Sequence, residues 1–281
     1  MTDRAAWLGR LAPVALVVLL AAVWLLPQAG DLSFSSPDGA AGDRLTSTLD
    51  ALPEEALVLV GFDPDLGTYA EVRPTARALL ADLLARDARL AFVSLTAEGR
   101  ALGSAELARL GRNDANPTRL VDLGFVAGAE AGLVDLTRGL RLPNDADGAF
   151  ARRVRDEGIA AFDAVAIVGG NDLGPRSWIE QVAPRLDDAT PFVAVTPTVL
   201  LPEVQPYLAG GQLAATLSTP RDGAAYRATL DLENLSRFLD TNDPRPLPIV
   251  IGMLVALAVL SQGLVARVIG LLRAARARET G

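Results

Sequence analysis

Ala56-Leu57-Val58-Leu59-Val60-Gly61-Phe62-Asp63 is the stretch on which the fold turns. An unbroken apolar run ends abruptly in a carboxylate. A strand that is apolar at every position, rather than at alternate ones, is buried on both faces, which is the habit of a strand inside a parallel sheet. Outward from it the same theme repeats. Thr75–Ala88 places Ala76, Leu79, Leu80, Leu83 and Leu84 at helical spacing, Arg89–Leu95 is a second strand, and a helix follows near Ser104–Leu110. Leu120–Val126 and Ala164–Val168 read as the third and fourth strands, separated by a helix over Ala129–Leu140 and by a surface loop with a short polar helix over Asn144–Ile159. Pro175–Leu186 opens with proline in its first turn and carries Trp178, Ile179 and Val182 on one face. Phe192–Val195, a helix around Leu200–Leu208, Leu213–Leu217 and a final amphipathic helix over Ala224–Leu239 complete the order. Strands alternating with helices predict the α/β class: a doubly wound, mostly parallel, Rossmann-like sheet of five or six strands.

Two apolar stretches flank this pattern, Leu11–Leu26 and Leu247–Ala266. The second has no formal charge, and about 20 residues at 1.5 Å each cross a ~30 Å hydrocarbon core. The first is shorter and shares its length and its arginines, Arg4 and Arg10, with secretory signals. A cut before Asp31 would put Gln28 where cleavage wants a small residue, so an uncleaved transmembrane anchor is expected. Arg4 and Arg10 precede the first span, and Arg267, Arg273, Arg276 and Arg278 follow the second; the inner flanks carry Asp31, Asp38, Asp240 and Asp243 instead. The excess of positive charge on the outer flanks predicts cytoplasmic termini and an extracytoplasmic central domain in the cell membrane. The expected organisation is an anchor over 1–28, a tether over 29–52 that is flexible by its Ser, Gly and Asp content, the α/β domain over 53–240, and a second span with a basic tail over 241–281.

Composition removes several chemistries. All 26 basic residues are arginine, and there is no histidine or cysteine. A Ser-His-Asp triad, thiolate chemistry, the usual zinc sites, Schiff bases and the Walker lysine are thereby excluded. Residues 29–246 hold 20 arginines against 32 acids, a net of −12, which repels nucleic acid. Catalysis would have to use carboxylates, hydroxyls, arginine, backbone dipoles or a hard metal.

Ligands of doubly wound sheets bind beyond the carboxyl ends of the strands, where the strand order reverses. Those ends offer Asp63 and Asp65, then Ser94 and Thr96, Gly128 and Glu130, Gly170, Asn171 and Asp172, and Thr196 and Thr198. With strand order 3-2-1-4-5, Asp63 and Asp172 would face each other as the candidate metal-holding pair. Asp63-Pro64-Asp65, Ser94 and Asn171-Asp172 resemble, in type and place, the catalytic set of haloacid-dehalogenase-like phosphohydrolases. That resemblance implies a magnesium-dependent reaction with one aspartate attacking phosphorus and the other as acid/base. The chain departs from that pattern in Leu66-Gly67, in the missing lysine and in the lack of a cap insertion. Carboxylates and hydroxyls at strand ends also serve as helix caps and turn residues. Gly124–Gly128 and Gly169–Gly174 each lead into a helix; with Thr196 at the end of the fifth strand, Gly128, Glu130, Gly170 and Asn171 are the candidate ligand-binding residues. Neither segment is a dinucleotide fingerprint, and no cofactor is expected.

Val60-Gly61-Phe62-Asp63, the Gly-Ala-Glu-Ala-Gly of 128–132, Trp178-Ile179-Glu180 and Gly211-Gln212-Leu213 together resemble an uncharacterised bacterial family of membrane-anchored α/β proteins. The resemblance spans 56–226 and implies no activity. By architecture alone, the layout also resembles accessory proteins of ABC exporters that hold an inactive amidotransferase-like domain between two anchors. The function expected is therefore a non-catalytic binding or accessory module, with the lipid bilayer, a membrane-protein partner and a small ligand in the crevice as its contacts. The alternative is the phosphohydrolase acting through Asp63 and Asp65.

Overall fold

The computed structural model describes residues 39–113, 117–140, 142, 148–170, 173–230 and 238, within a unit spanning Ser36–Thr241. Both apolar stretches lie outside the described residues. Among the described residues no helix is long and apolar enough to cross a membrane.

Six strands form one sheet, all parallel, in the order β3-β2-β1-β4-β5-β6. They are β1 Leu57–Asp63, β2 Arg89–Ser94, β3 Leu120–Phe125, β4 Ala164–Gly169, β5 Phe192–Val195 and β6 Ala215–Leu217. The helices are α1 Ala40–Asp50, α2 Tyr69–Ala85, α3 Ala97–Asn113, α4 Glu130–Arg138, α5 Gly148–Glu157, α6 Pro175–Val182, α7 Leu201–Ala209 and α8 Pro220–Thr229. The α/β, Rossmann-like expectation holds, and the order reverses between β1 and β4 as the placement of the crevice required.

Double winding divides the core in two. Val58, Val60 and Phe62 of β1 face α1, α2, α3 and α8, joined by Phe238. Leu57 and Leu59 face α4, α5, α6 and α7. Each central strand splits its apolar residues in the same way, which is why these strands read as continuous rather than alternating apolar runs. β3 is an edge strand and only half-buried. A bulge opposite Phe92/Val93 interrupts its pairing, and Asp122 in it accepts from Gly124 N–H at 2.9 Å, a device that blunts an open sheet edge.

α3 runs over Ala97–Asn113, longer than the helix expected near Ser104–Leu110, and three further elements differ from expectation for identifiable reasons. The stretch read as a flexible tether contains α1, whose Gly42, Leu45 and Leu49 repeat at helical spacing and are buried. Gly42 packs so close to α8 that a Cβ there would lie 3.2 Å from Tyr226 Cα. α2 begins at Tyr69 rather than after Pro74, because Asp65 and Thr68 build the turn that starts it. α8 begins at Pro220, where Thr219 and Asp222 form a reciprocal capping box with an aspartate in place of the usual glutamate.

Gly61 gives β1 its closest neighbour. The Trp178 indole of α6 lies over it, and a Cβ on Gly61 would come within 2.4 Å of the ring. Both sides are fixed, since Trp178 is fully buried. Overpacking of this kind costs about 1–3 kcal/mol. Gly61→Ala is therefore expected to lower unfolding free energy by that amount in chemical denaturation, and a loss under about 0.5 kcal/mol would mean that the indole is not seated there.

Candidate functional site

The carboxyl ends of β1 and β4 meet at the switch point, where Asp63 pairs in register with Gly169. Asp63 is 1% exposed. Its Oδ1 accepts from Leu95 N–H (2.8 Å), Thr96 N–H (2.9 Å) and the Thr96 hydroxyl (2.9 Å). Thr96 in turn caps α3, its hydroxyl accepting from Gly99 N–H at 2.9 Å. A side chain at Gly99 would press on Asp63 Oδ1 and the Phe62 carbonyl, both 2.5 Å from an ideal Cβ. Ser94 is also committed inward, its hydroxyl donating to the Phe62 carbonyl at 2.9 Å. Together these bonds fasten the end of β1 to the end of β2 and the start of α3.

Asp65 does a comparable job toward α2. It accepts from Thr68 N–H and the Thr68 hydroxyl, both at 2.8 Å. Gly170 at the end of β4 lies against this turn, with room for a Cβ closed off by Thr68 Oγ1 at 2.6 Å and Asp65 Oδ2 at 2.8 Å. Its N–H donates to the Asp63 carbonyl at 3.2 Å. Asn171 and Asp172 lie outside the described residues, so the Asp63–Asp172 pair has no described geometry. Among the described residues no group of three or more carboxylates gathers where it could hold a metal ion.

The remaining candidates sit apart from the switch point. Gly128 (φ +109°) and Ala129 (φ +54°, ψ −124°) make the turn into α4. Gly128 lets the turn lie against Gly132, whose N is 3.2 Å from where a Cβ would be. Glu130 is exposed and accepts from Ser177 of α6 at 3.1 Å. Thr196 belongs to a buried hydroxyl chain with Ser218 (2.8 Å), which in turn meets Thr216 (3.0 Å), between β5 and β6. Thr198 donates its N–H (2.8 Å) and its hydroxyl (2.6 Å) to Glu71 in the first turn of α2. The structure thus brings Asp63, Asp65, Ser94 and Gly170 together, and leaves Gly128, Glu130 and Thr196 at separate places along the same edge.

Glu71 and Glu106 were not singled out by the sequence. Glu106 is 3% exposed on α3 and ion-paired with Arg77 and Arg109. Its signal in the sequence is only an acid on a helix face that also bears Leu102 and Leu110. Exposed large apolar side chains are few among the described residues: Leu66, Phe125 and Val199. Leu66 follows β1, Phe125 ends β3 and Val199 follows β5, so all three stand at the carboxyl edge of the sheet. Beside Phe125, a cavity of about 420 Å³ is lined by Leu123, Val126, Ala127 and Leu136, with Asp135 on its wall.

Burial raises the Asp63 carboxyl above its ordinary 3.8, outweighing the downward pull of the Leu95 and Thr96 donors. Asp65 goes the other way: burial pushes it up, and the Thr68 hydroxyl and nearby N–H groups more than reverse that and hold it below 3.8.

No protein-family model, curated protein or solved structure matches this chain.

Because the folded pKa of Asp63 lies above the unfolded value, the native state keeps a proton that the unfolded chain releases. Its contribution to stability is present below about pH 3.8 and is lost as pH rises through the raised value. Asp63→Asn retains an acceptor for the Leu95 and Thr96 donors and removes that pH dependence, so its unfolding free energy at pH 7 should stay within about 1 kcal/mol of wild type. Asp63→Ala strands the buried Leu95 N–H and the half-buried Thr96 N–H and should cost about 2–4 kcal/mol. Denaturation curves between pH 3 and 8 check both, and equal losses in the two variants would refute the role given to Asp63.

Proposed function

We propose that this protein is a membrane-anchored, extracytoplasmic binding module that recruits a membrane-protein partner through the carboxyl edge of its Rossmann-like sheet. The observation that carries this reading is the placing of Leu66, Phe125 and Val199 at that one edge. The three side chains stand at the ends of three different strands, and this edge is where doubly wound folds take their ligands. The groups that would perform hydrolysis favour the same reading. Asp63 and Ser94 are buried and spent on fastening β1 to β2, and Asp65 is spent on the start of α2. A nucleophile needs open in-line approach to phosphorus. The two apolar flanks and their outer arginines support the anchored, outward-facing arrangement.

The chain lacks cysteine, so a single introduced thiol reports topology cleanly. A cysteine at exposed Arg152 should react in intact cells with a membrane-impermeant maleimide, and reaction only after lysis would overturn the extracytoplasmic placing. In the same cells, Leu66→Glu together with Val199→Glu should reduce crosslinked partner recovered with the full chain at least about tenfold, as loss of central apolar contacts does. Unchanged recovery would remove the edge as the contact. Magnesium-dependent phosphatase activity abolished by Asp63→Asn would replace the reading with the hydrolase.

A further inference from the structure

A single buried carboxylate joins two distant parts of the domain. Glu106 Oε1 accepts from Arg77 Nε (2.9 Å) and Nη2 (2.6 Å) and from the Tyr69 hydroxyl (2.7 Å), while Oε2 accepts from Arg109 Nε at 2.6 Å. Burial pushes Glu106 up, and the two arginines and the tyrosine more than offset it, holding the carboxyl below its ordinary range. Arg109, 7% exposed, donates its Nη1 to the backbone carbonyl of Phe238. Phe238 is fully buried and belongs to the core on the α2–α3 face, although it lies beyond α8 on the way to the apolar stretch that begins at Leu247. The opposite arm of the network ends at the strand-end crevice. Tyr69 is the first residue of α2, its N–H donates to the Asp65 carbonyl at 2.9 Å, and its ring meets Phe62 edge-on at 6.3 Å.

A buried ionised carboxylate holds only while its donors are in place, and losing one partner leaves the rest of the charge uncompensated. Unseating Phe238 takes the carbonyl acceptor from Arg109, and an Arg109 that turns elsewhere withdraws a counter-charge from Glu106. Tyr69 and Arg77 must then adjust. We propose that the seating of Phe238 is coupled, through Arg109, Glu106 and Tyr69, to the first turn of α2, so that occupation of the strand-end crevice and the seating of Phe238 bias one another. The functional half of this statement rests on the reading of the crevice edge as a binding surface; the coupling does not. Linkage makes it reciprocal, and couplings of this kind typically amount to about 5–150-fold in an equilibrium constant.

The test is hydrogen exchange on the full chain in detergent, with no partner added, which separates it from the capture experiment. Phe238→Ala should speed exchange of peptides covering Tyr69–Val72 at least about fivefold relative to the β4 strand. Tyr69→Phe, which keeps the ring against Phe62 and removes only the hydroxyl, should speed exchange at Phe238 by a similar factor. Tyr207→Phe, which removes a comparable hydroxyl bond to Glu180 on the other face, should change neither. The Tyr69→Phe arm decides even where Phe238→Ala loosens the whole domain: unaltered exchange at Phe238 in a folded protein would overturn the coupling.

Discussion

β1 is buried along its full length, with β2 on one side and β4 on the other and a helical layer on each face. No polar group at its carboxyl end can turn to bulk water, so each must find its partner inside the protein. That constraint organises the whole edge. The Phe62 carbonyl takes the Ser94 hydroxyl, the Asp63 carbonyl takes Gly170 N–H, and the Asp63 side chain takes the Leu95–Thr96 turn. α3 can begin only where Thr96 caps it, and only with Gly99 in its first turn. Asp63, Asp65 and Ser94 are thus the fastenings of this edge.

The two layers on either side of the sheet have different characters. The layer of α4 to α7 is closed by apolar packing around Trp178, with Gly61 making the space. The layer of α1, α2, α3 and α8 adds buried ionic links to its apolar core: Asp82 with Arg86 and the Tyr226 hydroxyl, and Glu106 with Arg77 and Arg109. Replacing such pairs by apolar residues is often neutral or stabilising, whereas breaking one partner is costly. Of these links, Arg77–Glu106 joins α2 to α3 and Tyr226–Asp82 joins α8 to α2, whereas Asp82–Arg86 and Glu106–Arg109 lie along a single helix. It is also this layer that receives both ends of the described chain, α1 at one end and Phe238 at the other.

The architecture was legible in the sequence because parallel strands buried on two faces leave an unmistakable record, as in 56–62 and 164–168. Even the pairing of β1 with β4 followed from the expected order. Helix boundaries were less legible, each for a local reason. Pro74 masked the first turn of α2, polar Ser, Gly and Asp around 31–48 masked Leu45 and Leu49, and the aspartate variant of the capping box hid the start of α8. The place of the candidate residues at the strand ends was legible; whether they form a site was not. Asp63, Asp65, Ser94 and Gly170 do converge, yet a sequence does not say whether a carboxylate faces a ligand or a neighbouring turn. Glu106 was invisible for a related reason: Tyr69 and Arg77 reach it from another helix, and Arg109 beside it is held in turn by the carbonyl of Phe238, far away along the chain.

The contact of α1 with α8 carries one more consequence. Gly42 approaches the backbone of Tyr226, so a loop of some 180 residues is shut by two helices crossing through a glycine, with no covalent link. Closing so long a loop costs only slightly more entropy than closing a short one, because the cost grows with the logarithm of length. Length therefore adds little to the entropy of closure; what the contact demands is the glycine, because a larger residue at 42 would press on the Tyr226 backbone.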